Sequence, residues 1–124
     1  MLIFVYGTLK KGFCRHHYLK AYPCFGAFKT KPMYRLLDCG SYPGMVVEVE
    51  RGLSIQGEVY EVDSACIEIL DEVEGVSLGL YVKSQVEMLD DWELPVWGYL
   101  YNQSIKSMPD CGDNWSKSTE EGEL

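Results

Sequence analysis

Four consecutive apolar residues, Leu2-Ile3-Phe4-Val5, run without polar interruption into Tyr6-Gly7-Thr8. An unbroken β-favouring run predicts a strand covered on both faces, not an edge strand with one wet side. Past the glycine, Phe13, Cys14, His17, Tyr18 and Ala21 recur at helical spacing, which predicts an amphipathic helix over 13–22 ended by Pro23. From Cys24 to Val49 the chain reads as β-prone pieces, broken at Pro32 and by the turn-rich run Asp38 to Gly44. Glu50-Arg51-Gly52 reads as a reversal into a strand over Leu53–Val62, where Ile55, Gly57 and Val59 alternate with Gln56, Glu58 and Tyr60. Asp63 is a good N-cap, Ile67, Leu70 and Val73 follow at threes, and Gly75 stands where a helix C′ residue belongs, so a short helix is predicted over 64–73. Two further strands follow, Tyr81–Leu89 and Leu94–Tyr101, the second with Trp97, Tyr99 and Tyr101 on one face and Val96, Gly98 and Leu100 on the other.

Strands with two isolated short helices point to an α+β domain, a mixed β-sheet curled into a small barrel. That domain is expected over residues 1–105. Residues 106–124 are polar and end in Glu120, Glu121 and Glu123, so they read as a loosely packed acidic tail in which only Trp115 offers an anchor.

With 124 residues, 47% of them hydrophobic, the chain is long enough for one domain with a real core, and a second domain is not expected. No apolar run reaches the 18 residues of a membrane helix, and residues 2–5 are too short and lack a basic flank for a signal peptide. Five cysteines, odd in number and without a C-x-x-C pair, suggest free thiols in the reducing cytoplasm.

Charge changes the picture more. The net −8 hides a split: residues 1–37 carry seven basic side chains and no acid, while the remainder carries four basic and all 19 acidic ones. The overall acidity opposes broad binding to nucleic acid, leaving a local positive field around the glycine turn that would draw in a small acidic ligand. Gly7, free to adopt a positive φ, leaves the amides of residues 7–9 able to face that ligand. A helix starting near residue 13 would put its positive end close by.

A second candidate centre is Leu70-Asp71-Glu72-Val73-Glu74-Gly75, three carboxylates at the end of the predicted helix. The negative end of the helix dipole, and burial where it occurs, raise a carboxyl pKa toward the range of a general base at neutral pH. The competing reading is three solvated charges. Cys14, near Lys10, Lys11, His16 and His17, is a rival nucleophile and equally an ordinary core cysteine. His16 and His17, about 100° apart on a helix, cannot chelate one metal together, and no zinc site is expected.

Three stretches taken in order carry a resemblance: Val5-Tyr6-Gly7-Thr8-Leu9-Lys10-Lys11-Gly12, Gly57-Glu58-Val59-Tyr60-Glu61-Val62-Asp63, and Leu70 to Gly75 followed by Leu80-Tyr81. Together with Tyr42-Pro43-Gly44 they make residues 2–101 resemble the gamma-glutamylcyclotransferase-like family, especially its gamma-glutamylamine cyclotransferase branch. The resemblance implies a barrel-like α+β fold and release of 5-oxoproline from a small gamma-glutamyl substrate, an intramolecular aminolysis of acyltransferase or lyase type. It implies no metal or cofactor; the acidic balance and the lack of a membrane-length apolar run already leave no nucleic-acid or membrane partner expected. Carried over by position, Glu74 would be the acid/base, with Tyr6, Gly7, Thr8, Leu9 and Tyr81 around the substrate; Lys83 stands where the family commonly has arginine. Kept beside this are a non-catalytic module that senses a small carboxylate, a thiol hydrolase using Cys14, and a weak RNA binder using the basic third with Tyr18 and Tyr22.

Overall fold

The computed structural model describes residues 1–117. Its order is β1 (Leu2–Val5), β2 (Cys24–Lys29), β3 (Tyr34–Asp38), β4 (Pro43–Val47), β5 (Gln56–Glu61), α1 (Ser64–Val73), β6 (Tyr81–Gln85) and β7 (Val96–Tyr101). Five strands form one sheet in the order β2-β5-β1-β7-β6, and β3 and β4 form a separate antiparallel pair. The sheet is mixed, because β1 runs antiparallel to β5 but parallel to β7.

Strand β1 is central and covered on both faces, as its unbroken apolar run predicts. Leu2 and Phe4 enter a core with Tyr34, Leu36 and Met45 of the β3–β4 pair, while Ile3 and Val5 enter a second core with Cys66, Ile67 and Leu70 of α1. Strand β7 divides in the same way, Val96 and Leu100 to the first core, Trp97, Tyr99 and Tyr101 to the second. Helix α1 begins where its cap predicts: Cys66 N donates to Asp63 Oδ1 at 2.8 Å. It ends at Glu74, and Gly75 takes the left-handed conformation at φ 65°.

Two expectations are corrected. The sheet does not close into a barrel: β2 and β6 are its edges, and beyond them the chain pairs through the isolated bridge between Thr30 and Met88, with Lys31 N donating to Glu87 O (2.8 Å) and Leu89 N to Lys29 O (3.1 Å). Nor does a second α-helix form. Over 13–22 the amides reach back three residues, not four, as in His16 N to Phe13 O (3.1 Å) and Leu19 N to His16 O (2.8 Å), and only His16–Tyr18 is a 3-10 helix. Phe13, Cys14, His16, His17, Tyr18 and Tyr22 are weak helix formers, and Arg15 N and His16 Nδ1 are already engaged with Thr8 O (2.9 Å) and Leu9 O (3.0 Å) of the glycine loop.

The described part of the expected tail is held down. Asp38 N donates to Pro109 O, Cys111 N to Leu36 O and Gln56 N to Asp113 O, all at 2.8–2.9 Å, and Trp115 is 2% exposed in the first core. Buried beside it, the Lys10 ammonium donates to Trp115 O (2.8 Å) and Asn114 Oδ1 (3.0 Å). The polar composition that suggested looseness reflects backbone bonding to β3 and β5 and one large apolar anchor. Glu120, Glu121 and Glu123 lie outside the described residues. No helix among the described residues is long and apolar enough to cross a membrane.

Candidate active site

The residues that the resemblance assigns to the site line one cleft, part of it open to solvent: Tyr6, Gly7, Thr8 and Leu9 of the glycine loop, with Glu74 and Tyr81. The fold brings them together because β1 delivers the glycine loop from its C-terminal end, while the end of α1 and the start of β6, joined by the turn after Gly75, stand opposite.

Along the loop, Lys10 N turns back to Gly7 O at 3.1 Å, whereas the amides of Gly7, Thr8 and Leu9 find no acceptor among the described residues. Unpartnered backbone donors beside a cleft are an anion or oxyanion receptor in waiting. They are not backed by a helix dipole, since no α-helix follows; Arg15, which also lines the cleft, supplies the positive charge instead. Gly7 is outside the left-handed region, so its conformational freedom is not what the site uses. What matters is that Pro43 packs directly over it.

Glu74 is the other half. Its carboxylate takes no ion pair from any described residue. Desolvation by burial pushes its pKa up to about 7, against a smaller lowering pull from the Arg15 guanidinium. An acid poised near neutrality is half ionised at physiological pH, so it can both take and return a proton. Its carboxylate neighbours differ from it: Glu72 is exposed, and Asp71 accepts from Tyr99 Oη at 2.7 Å and from Lys83 Nζ at 2.8 and 3.2 Å.

The tyrosines frame the cleft. Tyr6 Oη donates to Tyr99 O (2.7 Å) and accepts from Met45 N (3.1 Å), and Tyr81 Oη donates to Pro43 O (2.6 Å). Burial, with the nearby Glu74 charge adding to it, holds both phenols far above their ordinary pKa, so they stay neutral donors. Cys14 does not line the cleft, and no α-helix begins beside it. No three His, Cys, Asp or Glu among the described residues converge to hold an ion.

Four lining residues were missed as individuals. Arg15 was visible only as one of seven N-terminal basic residues, Tyr99 only as one face of an aromatic strand, and Tyr42-Pro43 only through the resemblance. Lys10 was read as part of the positive surface field but is buried under the C-terminal segment.

A family model described as gamma-glutamyl cyclotransferase, AIG2-like, matches residues 3–118. The chain belongs to that family. Among relatives of this gamma-glutamylcyclotransferase family chain, a protein of Vibrio cholerae serotype O1, provisionally named a gamma-glutamylcyclotransferase, is 39% identical over 114 residues, covering 90% of this chain and 93% of its own. Human gamma-glutamylaminecyclotransferase is 33% identical over 101 residues, covering 73% of this chain and 64% of its own. The crystal structure of a mouse AIG2-like protein superposes with a TM-score of 0.77 at 25% identity, covering 97% of this chain and 91% of that one.

Proposed function

We propose that this family member is a gamma-glutamyl cyclotransferase, releasing 5-oxoproline from a gamma-glutamyl amine or gamma-glutamyl amino acid. The observation that carries the reading is Glu74: a carboxylate without an ion-pair partner, pushed up to about 7 by desolvation, facing unpartnered loop amides across one cleft.

The substrate contains its own nucleophile. Its α-amine reaches the γ-carbonyl carbon through a five-membered ring, so holding the two in contact supplies much of the acceleration. The amine arrives as an ammonium ion, and Glu74 takes a proton from it. The nitrogen then attacks the γ-carbonyl carbon, forming the ring C–N bond, and the amides of residues 7–9 receive the oxyanion or hold the α-carboxylate. As the intermediate collapses, the ring nitrogen gives up its second proton, the bond to the departing amine breaks, and Glu74 passes the proton it holds to that departing nitrogen. The two protons lost by the α-amine leave with the released amine as its ammonium ion, so the products are 5-oxoproline and an ammonium ion, with no net change of protons on the enzyme.

The test is a panel of gamma-glutamyl amines, gamma-glutamyl dipeptides and glutathione, with 5-oxoproline as the readout. Glu74→Gln is expected to fold, to bind gamma-glutamyl ligands and to lose about 10²- to 10⁴-fold in turnover, the usual worth of a general acid/base. Binding without 5-oxoproline release by the unaltered protein would instead make it a carboxylate-sensing module.

A further inference from the structure

Among the described residues no hydrogen bond or ion pair holds the Glu74 side chain. The chain turns away immediately after Glu74, through left-handed Gly75 into the short 3-10 helix Val76–Leu78. Where its carboxylate sits is therefore inherited from the last turn of α1, closed by Glu74 N to Leu70 O at 2.9 Å. One turn earlier, Asp71 ties that turn to the sheet with three short hydrogen bonds from two strands: Lys83 Nζ of β6 to both carboxylate oxygens and Tyr99 Oη of β7 to Oδ1. A pair this exposed, 26% for Lys83 and 31% for Asp71, contributes little to stability, but donors from two directions fix orientation well.

Tyr99 is also the residue to which the opposite wall is anchored, since its carbonyl accepts Tyr6 Oη at 2.7 Å at the base of the glycine loop. One residue is thus gripped by the acid-bearing helix through its side chain and by the loop through its backbone. We infer that Asp71 is a positioning residue: through Tyr99 and Lys83 it sets the distance between Glu74 and the loop amides. This rests on the acid/base reading of Glu74 given above. Neither Asp71 nor Lys83 lines the cleft, so their effect is exerted through other groups.

The decisive variants are Asp71→Asn, Lys83→Met, Lys83→Arg and Tyr99→Phe, assayed for kcat, KM and Tm beside Glu74→Gln and the exposed Glu72→Gln. Asp71→Asn and Lys83→Met are expected to lower kcat roughly ten- to a hundredfold with KM little changed, the size of effect a small misplacement of a catalytic group produces. Lys83→Arg restores the charge and the donor and is expected to rescue kcat; Glu72→Gln is expected to behave as wild type. Asp71→Asn combined with Lys83→Met should cost less than the product of the single losses, because both remove the bond from Lys83 Nζ to Asp71 Oδ2. Wild-type kcat in Asp71→Asn, or a loss that disappears on cooling below the variant's lowered Tm, overturns the inference in favour of a plain helix staple. If Asp71→Asn is fully active while Glu74→Gln is dead, only the positioning role falls. If Glu74→Gln itself turns over normally, the acid/base reading falls and the positioning role with it.

Discussion

Pro43 occupies the space that a side chain on Gly7 would need: a Cβ built there lies 2.6 Å from Pro43 Cγ and 2.8 Å from Cδ. The glycine is a requirement of close approach, and the element it admits is part of the cleft wall, with Pro43 O receiving Tyr81 Oη at 2.6 Å. Gly7→Ala is therefore expected to push Pro43 and Tyr81 apart from the loop. Overpacking of this kind costs about 1–3 kcal/mol. Because the displaced atoms line the cleft, kcat/KM should fall by at least about tenfold at temperatures where the variant is fully folded. Thermal melts beside steady-state kinetics separate the two effects; unchanged kinetics in a folded Gly7→Ala would remove the loop from the site.

Arg15 and Glu74 share the cleft without an ion pair between them, and the guanidinium opposes the upward push of burial on the carboxyl. The base form of Glu74 is the reactive one, so kcat/KM should rise with pH through an acid limb centred at about 7. Replacing Arg15 by Met removes the opposing influence and leaves desolvation alone. The acid limb should then move to higher pH, with the plateau rate above it less affected. A limb that stays in place in Arg15→Met would mean that another group titrates.

The places of the candidate residues were legible from local patterns, while the choice of Glu74 over Asp71 and Glu72 came only from the resemblance. The all-apolar β1, the Asp63 cap and Gly75 each announce an element end, and Tyr6 to Leu9 and Glu74 sit at such ends. The failures share a cause: they depend on contacts distant in sequence. The helical spacing over 13–22 is overridden by Arg15 N and His16 Nδ1 bonding back to the glycine loop, and no periodicity encodes that. Lys10 looks like surface charge until the segment around Trp115, over a hundred residues later, folds over it. Tyr99 and Arg15 are site residues only because β7 lies beside β1 and the 13–22 segment curls back over the cleft.

Trp115 tests how far the core extends beyond β7. It is fully enclosed among residues of β1, β3, β4 and β5, and its Nε1 has no hydrogen-bond partner among the described residues. Its contribution is thus apolar contact. Trp115→Ala should destabilise by about 3–5 kcal/mol, the usual cost of emptying a large aromatic site. Trp115→Phe keeps part of the contact and loses no hydrogen bond, so it should cost markedly less. Urea denaturation of the three proteins decides this, and equal stability of Trp115→Ala and wild type would return the segment to the status of a loose tail.

The raised pKa of Glu74 also makes a prediction about stability, opposite in sign to that for an ion-paired carboxylate held below its ordinary pKa. Its folded pKa of about 7 lies above its ordinary value of 4.5, so between these pH values the folded state holds a proton that the unfolded state has released. Stability from this group is complete below about pH 4.5 and declines as pH rises through about 7, after which ionised Glu74 is a standing cost of the fold. At about 1.36 kcal/mol per pKa unit, the ceiling is about 3 kcal/mol, and partial solvent access lowers it. Gln has nothing to ionise. Glu74→Gln should therefore be more stable than wild type at pH 8, by an amount that shrinks steadily as pH is lowered from 7 toward 4.5. Urea midpoints for the two proteins across pH 4.5–8 measure it directly. A difference that does not vary with pH would mean that Glu74 ionises at its ordinary value, which would remove the physical basis for its acting as the base.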